Sequence, residues 1–127
     1  MAHVVVVGAY GSAGAAVAGE LADDPDVELT LIDDGDPGGG LCILRGCMPS
    51  KEVLSAAAHR YQARHDDRLD GEAPAVDLSR TVARKDDHIL GWAGHRRESI
   101  HDLAEREDVE FVHDTARFVD DHTVPAG

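Results

Sequence analysis

The passage HVVVVGAYGSAGAAVAGELADDPDVELTLIDD, residues 3–34, constrains the fold more than any other. Val4 to Val7 is a β-branched run, short and uniformly apolar, as expected of a strand buried on both faces. A glycine-rich turn follows, then small residues from about Ser12 to Ala22 that suit a helix, stopped by Pro25 and its aspartates. Val27 to Ile32 supplies a second strand. Strand, glycine turn, helix and strand make a βαβ unit, so the chain is predicted to be α/β with a parallel sheet. Its 127 residues fit one domain with room for a core.

Beyond that unit, SKEVLSAAAHRYQAR reads as a helix with Val53, Leu54, Ala57, Ala58 and Tyr61 on one face. HDDRLDGEAPAVD is polar and carries Gly71 and Pro74, as a surface excursion would. A long helical stretch is predicted from about Leu78 to Arg106. Val82, Ile89, Ala93, Ile100 and Leu103 fall near one stripe, which Gly91 and Gly94 weaken in its middle. VEFVHDTARFVDDHTV then reads as strands, with Asp120-Asp121 as the turn of a C-terminal β-hairpin.

The charge balance narrows the class of partner. Asp and Glu number 25 against 12 Lys plus Arg, for a net charge of −13, and Lys51 and Lys85 are the only lysines. Such a sign lacks the positive footprint that nucleic-acid binding needs. Self-repulsion at this density destabilises a compact chain until salt screens it, so the Asp-rich, Lys-poor surface reads as adapted to a salty cytoplasm. No apolar run approaches a membrane span, and no basic segment precedes the N-terminal apolar run as in a signal peptide. A cytoplasmic protein without membrane partners is the expectation.

Gly8, Gly11 and Gly14 form G-x-x-G-x-x-G, where the dinucleotide fingerprint of Rossmann-like units is G-x-G-x-x-G, as if Tyr10 were inserted. A pyrophosphate would still meet backbone N–H groups and the helix dipole at the entrance near Ser12. Asp33 closes the second strand, where an acid accepts from ribose hydroxyls, and Asp34 competes if the loop register shifts. The spacing alone also suits reductases that bind NAD(P).

Both cysteines, Cys42 and Cys47, lie in GGGLCILRGCMPSK, residues 38–51. Structural zinc wants four ligands, and only one cysteine pair is present beside scattered histidines, His59, His88, His95 and His101 among them. Two unrelated thiols in a reducing compartment are a second reading. A redox disulfide is the third. Residues five apart sit roughly 140° around an ideal helix, whereas a disulfide needs Cα atoms within about 7 Å. The segment would have to break, which Gly46 permits.

GGLCILRGCMPSK resembles the redox signature of the flavin-dependent pyridine nucleotide–disulfide oxidoreductases, which include dihydrolipoamide dehydrogenase, glutathione reductase and mercuric reductase. The βαβ unit before it and the TARFVDDHTV after it fall where that family's pattern places them, so the resemblance spans essentially the whole chain. It implies a Rossmann-like FAD-binding unit. Cys42 would be the interchange thiol, Cys47 the flavin-facing charge-transfer thiolate, and Lys51 a cation at the reactive edge of the flavin. Gly8, Gly11, Ser12 and Gly14 would cradle the pyrophosphate of FAD, and Asp33 would hold the adenosine ribose. Gly39 and Gly40 would form part of the flavin approach, and Ala116 would offer backbone near the adenine. Leu41, Leu44, Asp114 and the extra Tyr10 depart from the family pattern.

The resemblance also implies what lies outside residues 1–127. That is the rest of the FAD domain, an NAD(P) domain, and a dimerisation domain supplying a His–Glu pair across a homodimer interface. The chain is then expected to be the N-terminal part of an incomplete FAD domain, inactive by itself. The intact enzyme would pass electrons between NAD(P)(H), FAD and a Cys42–Cys47 couple, and exchange them with a small-molecule or lipoyl-type disulfide or dithiol. A small NAD(P)-binding or interaction module without dithiol chemistry is the competing expectation.

Overall fold

The computed structural model describes residues 1–125. The elements run β1 (Ala2–Val7), α1 (Ser12–Leu21), β2 (Val27–Ile32), α2 (Gly40–Leu44), α3 (Cys47–His65), α4 (Leu78–Leu103) and β3 (Val109–Val112). The strands form one parallel sheet in the order β1-β2-β3. Ala2 faces Val27 through to Val7 facing Ile32, and Leu29 faces Val109 through to Ile32 facing Val112. A parallel pair needs a crossover, which α1 supplies first and α2, α3 and α4 supply together second.

Val6, Leu29, Leu31 and Val109 turn their side chains to Ala18 and Ala22 at the α1 side and to Ile100 on α4. Small residues on α1 let it seat closely on the sheet, and Leu29, Leu31 and Ile100 are the largest side chains fully removed from water. Each contributes about 1.5–3 kcal/mol of transfer free energy. A second, smaller cluster joins Ile43 of α2 to Ile89 and Ala93 of α4, with Leu44, Met48 and Trp92 at its margin. This cluster fixes the cysteine segment against α4.

Four expectations change. The run Val4–Val7 is covered on one face only: Val6 is buried, whereas Val5 and Val7 are 37% and 57% exposed. β1 is an edge strand, and the strand buried along most of its length is central β2. On α3 the expected apolar face points outward, with Leu54 and Tyr61 each 64% exposed. The rotation of α3 is set instead by Glu52, bonded to His88 of α4, and by partly covered Val53, Ala56 and Ala63. The long helix ends at Leu103, and Ala104 to Arg106 continue as turn.

The C-terminal β-hairpin is absent among the described residues. Thr115 to Pro125 holds no strand, and Val119 N–H to Thr123 O at 3.0 Å closes a single turn around Asp120-Asp121. Phe118 and Val119 are 74% and 57% exposed, so no apolar face holds two strands in register there. No helix among these residues is long and apolar enough to cross a membrane.

Candidate functional site

The glycine turn lies at the carboxyl end of β1, where open parallel sheets place their ligand crevice. Gly8 has φ +81°, a conformation that side chains with a Cβ disfavour, and its carbonyl accepts from Gly11 N–H at 3.0 Å. A Cβ on Gly14 would lie 2.2 Å from Gly8 O, so α1 packs directly on the turn. α1 starts after Gly11 with no side-chain cap and no acidic residue in its first turn. Its first backbone bond runs from Ala15 N–H to Gly11 O, which leaves the N–H groups of Ser12, Ala13 and Gly14 without a helical acceptor.

Asp33 does structural work at this turn. Its Oδ2 accepts from Tyr10 N–H and its Oδ1 from Gly35 N–H, each at 2.8 Å. Each carboxylate oxygen retains capacity for a further bond. Asp34, the competing acid, accepts from Thr115 Oγ1 at 2.7 Å and so draws the segment holding Ala116 toward the end of β2.

In the cysteine segment α2 stops at Leu44, the chain turns at Arg45 and Gly46, and α3 begins at Cys47. That break brings the Cα atoms to 5.1 Å, and Cys42 and Cys47 form a disulfide. A Cβ on Gly46 would sit 3.0 Å from Leu41 O and 3.1 Å from Cys42 Cα, so glycine is what lets the start of α3 approach α2 here. Cys47 occupies the first position of α3, where the helix dipole favours a thiolate once the bond is reduced. Lys51 follows four residues later, one turn along the same face, and is exposed.

The three glycines at the entrance of α2, Gly38, Gly39 and Gly40, are packing contacts. A Cβ on Gly38 would meet the Tyr10 ring at 2.9 Å, one on Gly39 the Ala93 side chain at 3.1 Å, and one on Gly40 the Gly11 Cα at 2.6 Å. The cysteine segment therefore rests on the glycine turn. Ser12 and Cys42 share a groove of about 360 Å³ with Ile43, Met48, Trp92, His95, Arg96 and Ser99. Gly8, Gly11, Ser12, Gly14, Gly39, Gly40 and the disulfide thus form one continuous region, with Asp33 at its edge. Lys51 stands outside the groove, and Ala116 stands beyond Asp34.

The chain matches the family described as pyridine nucleotide-disulphide oxidoreductase over residues 2–127. It belongs to that family. Dihydrolipoyl dehydrogenase 2 of Haloarcula marismortui is 33% identical over 96% of this chain and 25% of its own length. Mercuric reductase of Streptomyces lividans is 34% identical over 85% of this chain and 23% of its own. The HOCl-induced flavoprotein disulfide reductase RclA of Escherichia coli, solved as a Cu(II) complex, shares the fold. Its TM-score is 0.69 at 24% identity, over 98% of this chain and 24% of that one. The chain spans about a quarter of the length of the curated relatives it matches.

A family member of this kind needs a seat for a dinucleotide, and the residues here fit one. The uncapped N–H groups of α1 suit a pyrophosphate, and the glycines leave no side chain over them. Two residues at the seat, Arg96 and His101, carry no motif signal, and both bond Tyr10. Tyr10 is only 2% exposed, its hydroxyl lies 2.7 Å from His101 Nε2, and its ring packs on His101 and Phe111. Burial pushes its phenol pKa up, Arg97 opposes the shift, and Asp33 and Asp36 add to it. Arg96 Nη1 donates to Tyr10 O at 3.1 Å and to Gly11 O at 3.2 Å. The one hint in the sequence was that an aromatic residue interrupts a glycine fingerprint.

Proposed function

We propose that residues 1–127 are the N-terminal part of the FAD-binding domain of a dihydrolipoamide dehydrogenase-like oxidoreductase, using NAD(P) and a small-molecule or lipoyl-type disulfide or dithiol. The observation that carries this is the Cys42–Cys47 disulfide at the start of α3, resting on the glycine turn through Gly40. FAD, when bound, supplies a two-electron relay between the nicotinamide and this disulfide. The N–H groups of Ser12 and Gly14 bind its pyrophosphate, Gly8 and Gly11 keep side chains away from it, and Asp33 accepts from the ribose. Gly39 and Gly40 shape the approach to the flavin, and Ala116 offers backbone near the adenine.

In this reading Cys42 is the interchange thiol that meets the substrate, and its place on the groove beside α4 supports that role. In the reduced protein the Cys42 thiolate attacks one sulfur of a substrate disulfide, forming a mixed disulfide and releasing one substrate thiolate that takes a proton. The Cys47 thiolate then attacks Cys42 Sγ, releases the second substrate thiol, and restores the Cys42–Cys47 bond. Two electrons pass from the protein dithiol to the substrate, and the reverse sequence oxidises a dithiol. The first position of α3 stabilises the Cys47 thiolate, and Lys51 adds positive charge on the same helix face. Trp92, Met48 and Ile43 give the groove an apolar wall, which suits an alkyl-chain disulfide.

Thiol titration tests the dithiol step. After mild oxidation the chain is expected to show no free thiol, and after reduction two. Two free thiols persisting after oxidation would leave the nucleotide-binding or interaction module as the better reading.

A further inference from the structure

Tyr10 is held at every polar atom it has. Its N–H donates to Asp33 Oδ2, its carbonyl accepts from Arg96 Nη1, and its hydroxyl is bonded to His101 Nε2. Arg96 and His101 are both on α4, one and two turns beyond the part of the helix that packs on α2. The same Arg96 nitrogen also holds Gly11 O. Arg96 is half-buried, and no carboxylate lies within 4.0 Å of it among the described residues, although the chain carries 25 acidic side chains. A guanidinium in that position is spent on two backbone carbonyls.

Those carbonyls belong to the two residues immediately before the free N–H groups of α1. A carbonyl oxygen left free beside a pyrophosphate repels it; Gly11 O already accepts the first helical bond from Ala15 N–H, and a guanidinium bonded to both carbonyls fixes them and partly neutralises their negative ends. In an ordinary G-x-G-x-x-G turn, glycine lets the backbone approach the ligand. Here Tyr10 breaks that spacing, and its bulk is taken into the core beside Phe111.

We propose that Arg96 and His101 are positioning residues for nucleotide binding: they anchor Tyr10 and Gly11 to α4, so that a glycine turn interrupted by tyrosine still presents its N–H groups to a pyrophosphate. This rests on the flavoprotein reading above. It also makes α4 the common support of the nucleotide turn and, through Trp92, Ala93 and Ile89, of the cysteine segment.

Amide-resolved NMR titration of the chain with ADP at fixed ionic strength tests it, because ADP carries the half of FAD that meets this turn. In the wild type the Ser12, Ala13 and Gly14 amides are expected to shift and saturate. Arg96→Ala is expected to weaken ADP about tenfold, the scale of a lost charge-assisted bond, while Arg96→Lys recovers most of the loss. His101→Phe weakens it less. Arg64→Ala, which removes an exposed arginine and the same unit charge, leaves affinity unchanged. The amide spectrum also reports whether each variant keeps the fold, and Arg96→Gln replaces Arg96→Ala in the comparison if the latter does not. Wild-type affinity in the neutral variant, or an equal loss in Arg64→Ala, overturns the proposal alone. A wild type whose α1 amides ignore ADP overturns the nucleotide reading as well.

Discussion

His88 Nδ1 on α4 lies 2.8 Å from Glu52 Oε1 on α3, one residue after Lys51. This contact sets the rotation of the helix that starts at Cys47, because α3 has no fully buried residue of its own to do so. His88 also packs on Trp92, which belongs to the cluster beneath α2. The pair is partly solvated, with the His88 side chain 38% exposed. Replacing His88 by Ala is expected to destabilise the chain by only about 0.5–1.5 kcal/mol. A double-mutant cycle with Glu52→Ala, read by denaturant unfolding, should show coupling of about 0.5–1 kcal/mol. Strictly additive effects would show that the two side chains do not act together.

Gly40 has φ +69° and a Cβ there would reach 2.6 Å from Gly11 Cα. Gly40→Ala therefore strains its own backbone and pushes the cysteine segment off the glycine turn. The expected cost is about 1–3 kcal/mol from the backbone alone, with weaker nucleotide binding in the same variant. Gly91→Ala is the control, since a Cβ there meets nothing within 4 Å and the position lies inside α4. Its unfolding midpoint should rise or stay level. Equal effects from the two changes would contradict the contact between Gly40 and the turn.

The buried Tyr10 phenol makes stability fall in alkali. Its pKa is raised above the ordinary value of 10.0, mainly by burial. Below that value the phenol is protonated in both folded and unfolded chains, and its contribution is fully present. As pH rises past it, the unfolded chain releases the proton first, so folded stability declines until the raised pKa is passed. Tyr10→Phe should flatten that decline above pH 10 while losing the hydroxyl's bond to His101 at neutral pH. The same alkaline slope in Tyr10→Phe would assign the effect to another group.

Salt is the lever on the surface. With a net charge of −13, raising potassium chloride from about 0.1 to about 1 M shortens the Debye length from about 10 to about 3 Å and relieves self-repulsion. The thermal midpoint should climb across that range. A flat or falling midpoint would remove the salt-adapted reading of the aspartate-rich surface.

What the sequence made legible followed from local rules. A β-branched run before glycines, and a proline after a run of small residues, placed β1, α1 and β2 within a residue or two. Gly46 between the cysteines marked the break that lets a helical spacing close into a disulfide. The remainder depended on neighbours that local pattern does not name. Val5 and Val7 are apolar like Val6, and only the strand order shows that their face of β1 is open. Leu54 and Tyr61 form as good an apolar stripe as any, yet the Glu52–His88 bond turns them outward. The partners of Tyr10, Arg96 and His101, lie 86 and 91 residues away and carry no motif.

The central claim is that Cys42 and Cys47 are a flavin-linked redox couple. The most direct test is the visible spectrum of the full-length, FAD-loaded protein on two-electron reduction, compared with Cys47→Ser and Cys42→Ser. The wild type is expected to show a long-wavelength flavin–thiolate absorbance that Cys47→Ser abolishes and Cys42→Ser retains. A reduced spectrum unchanged by Cys47→Ser would contradict it.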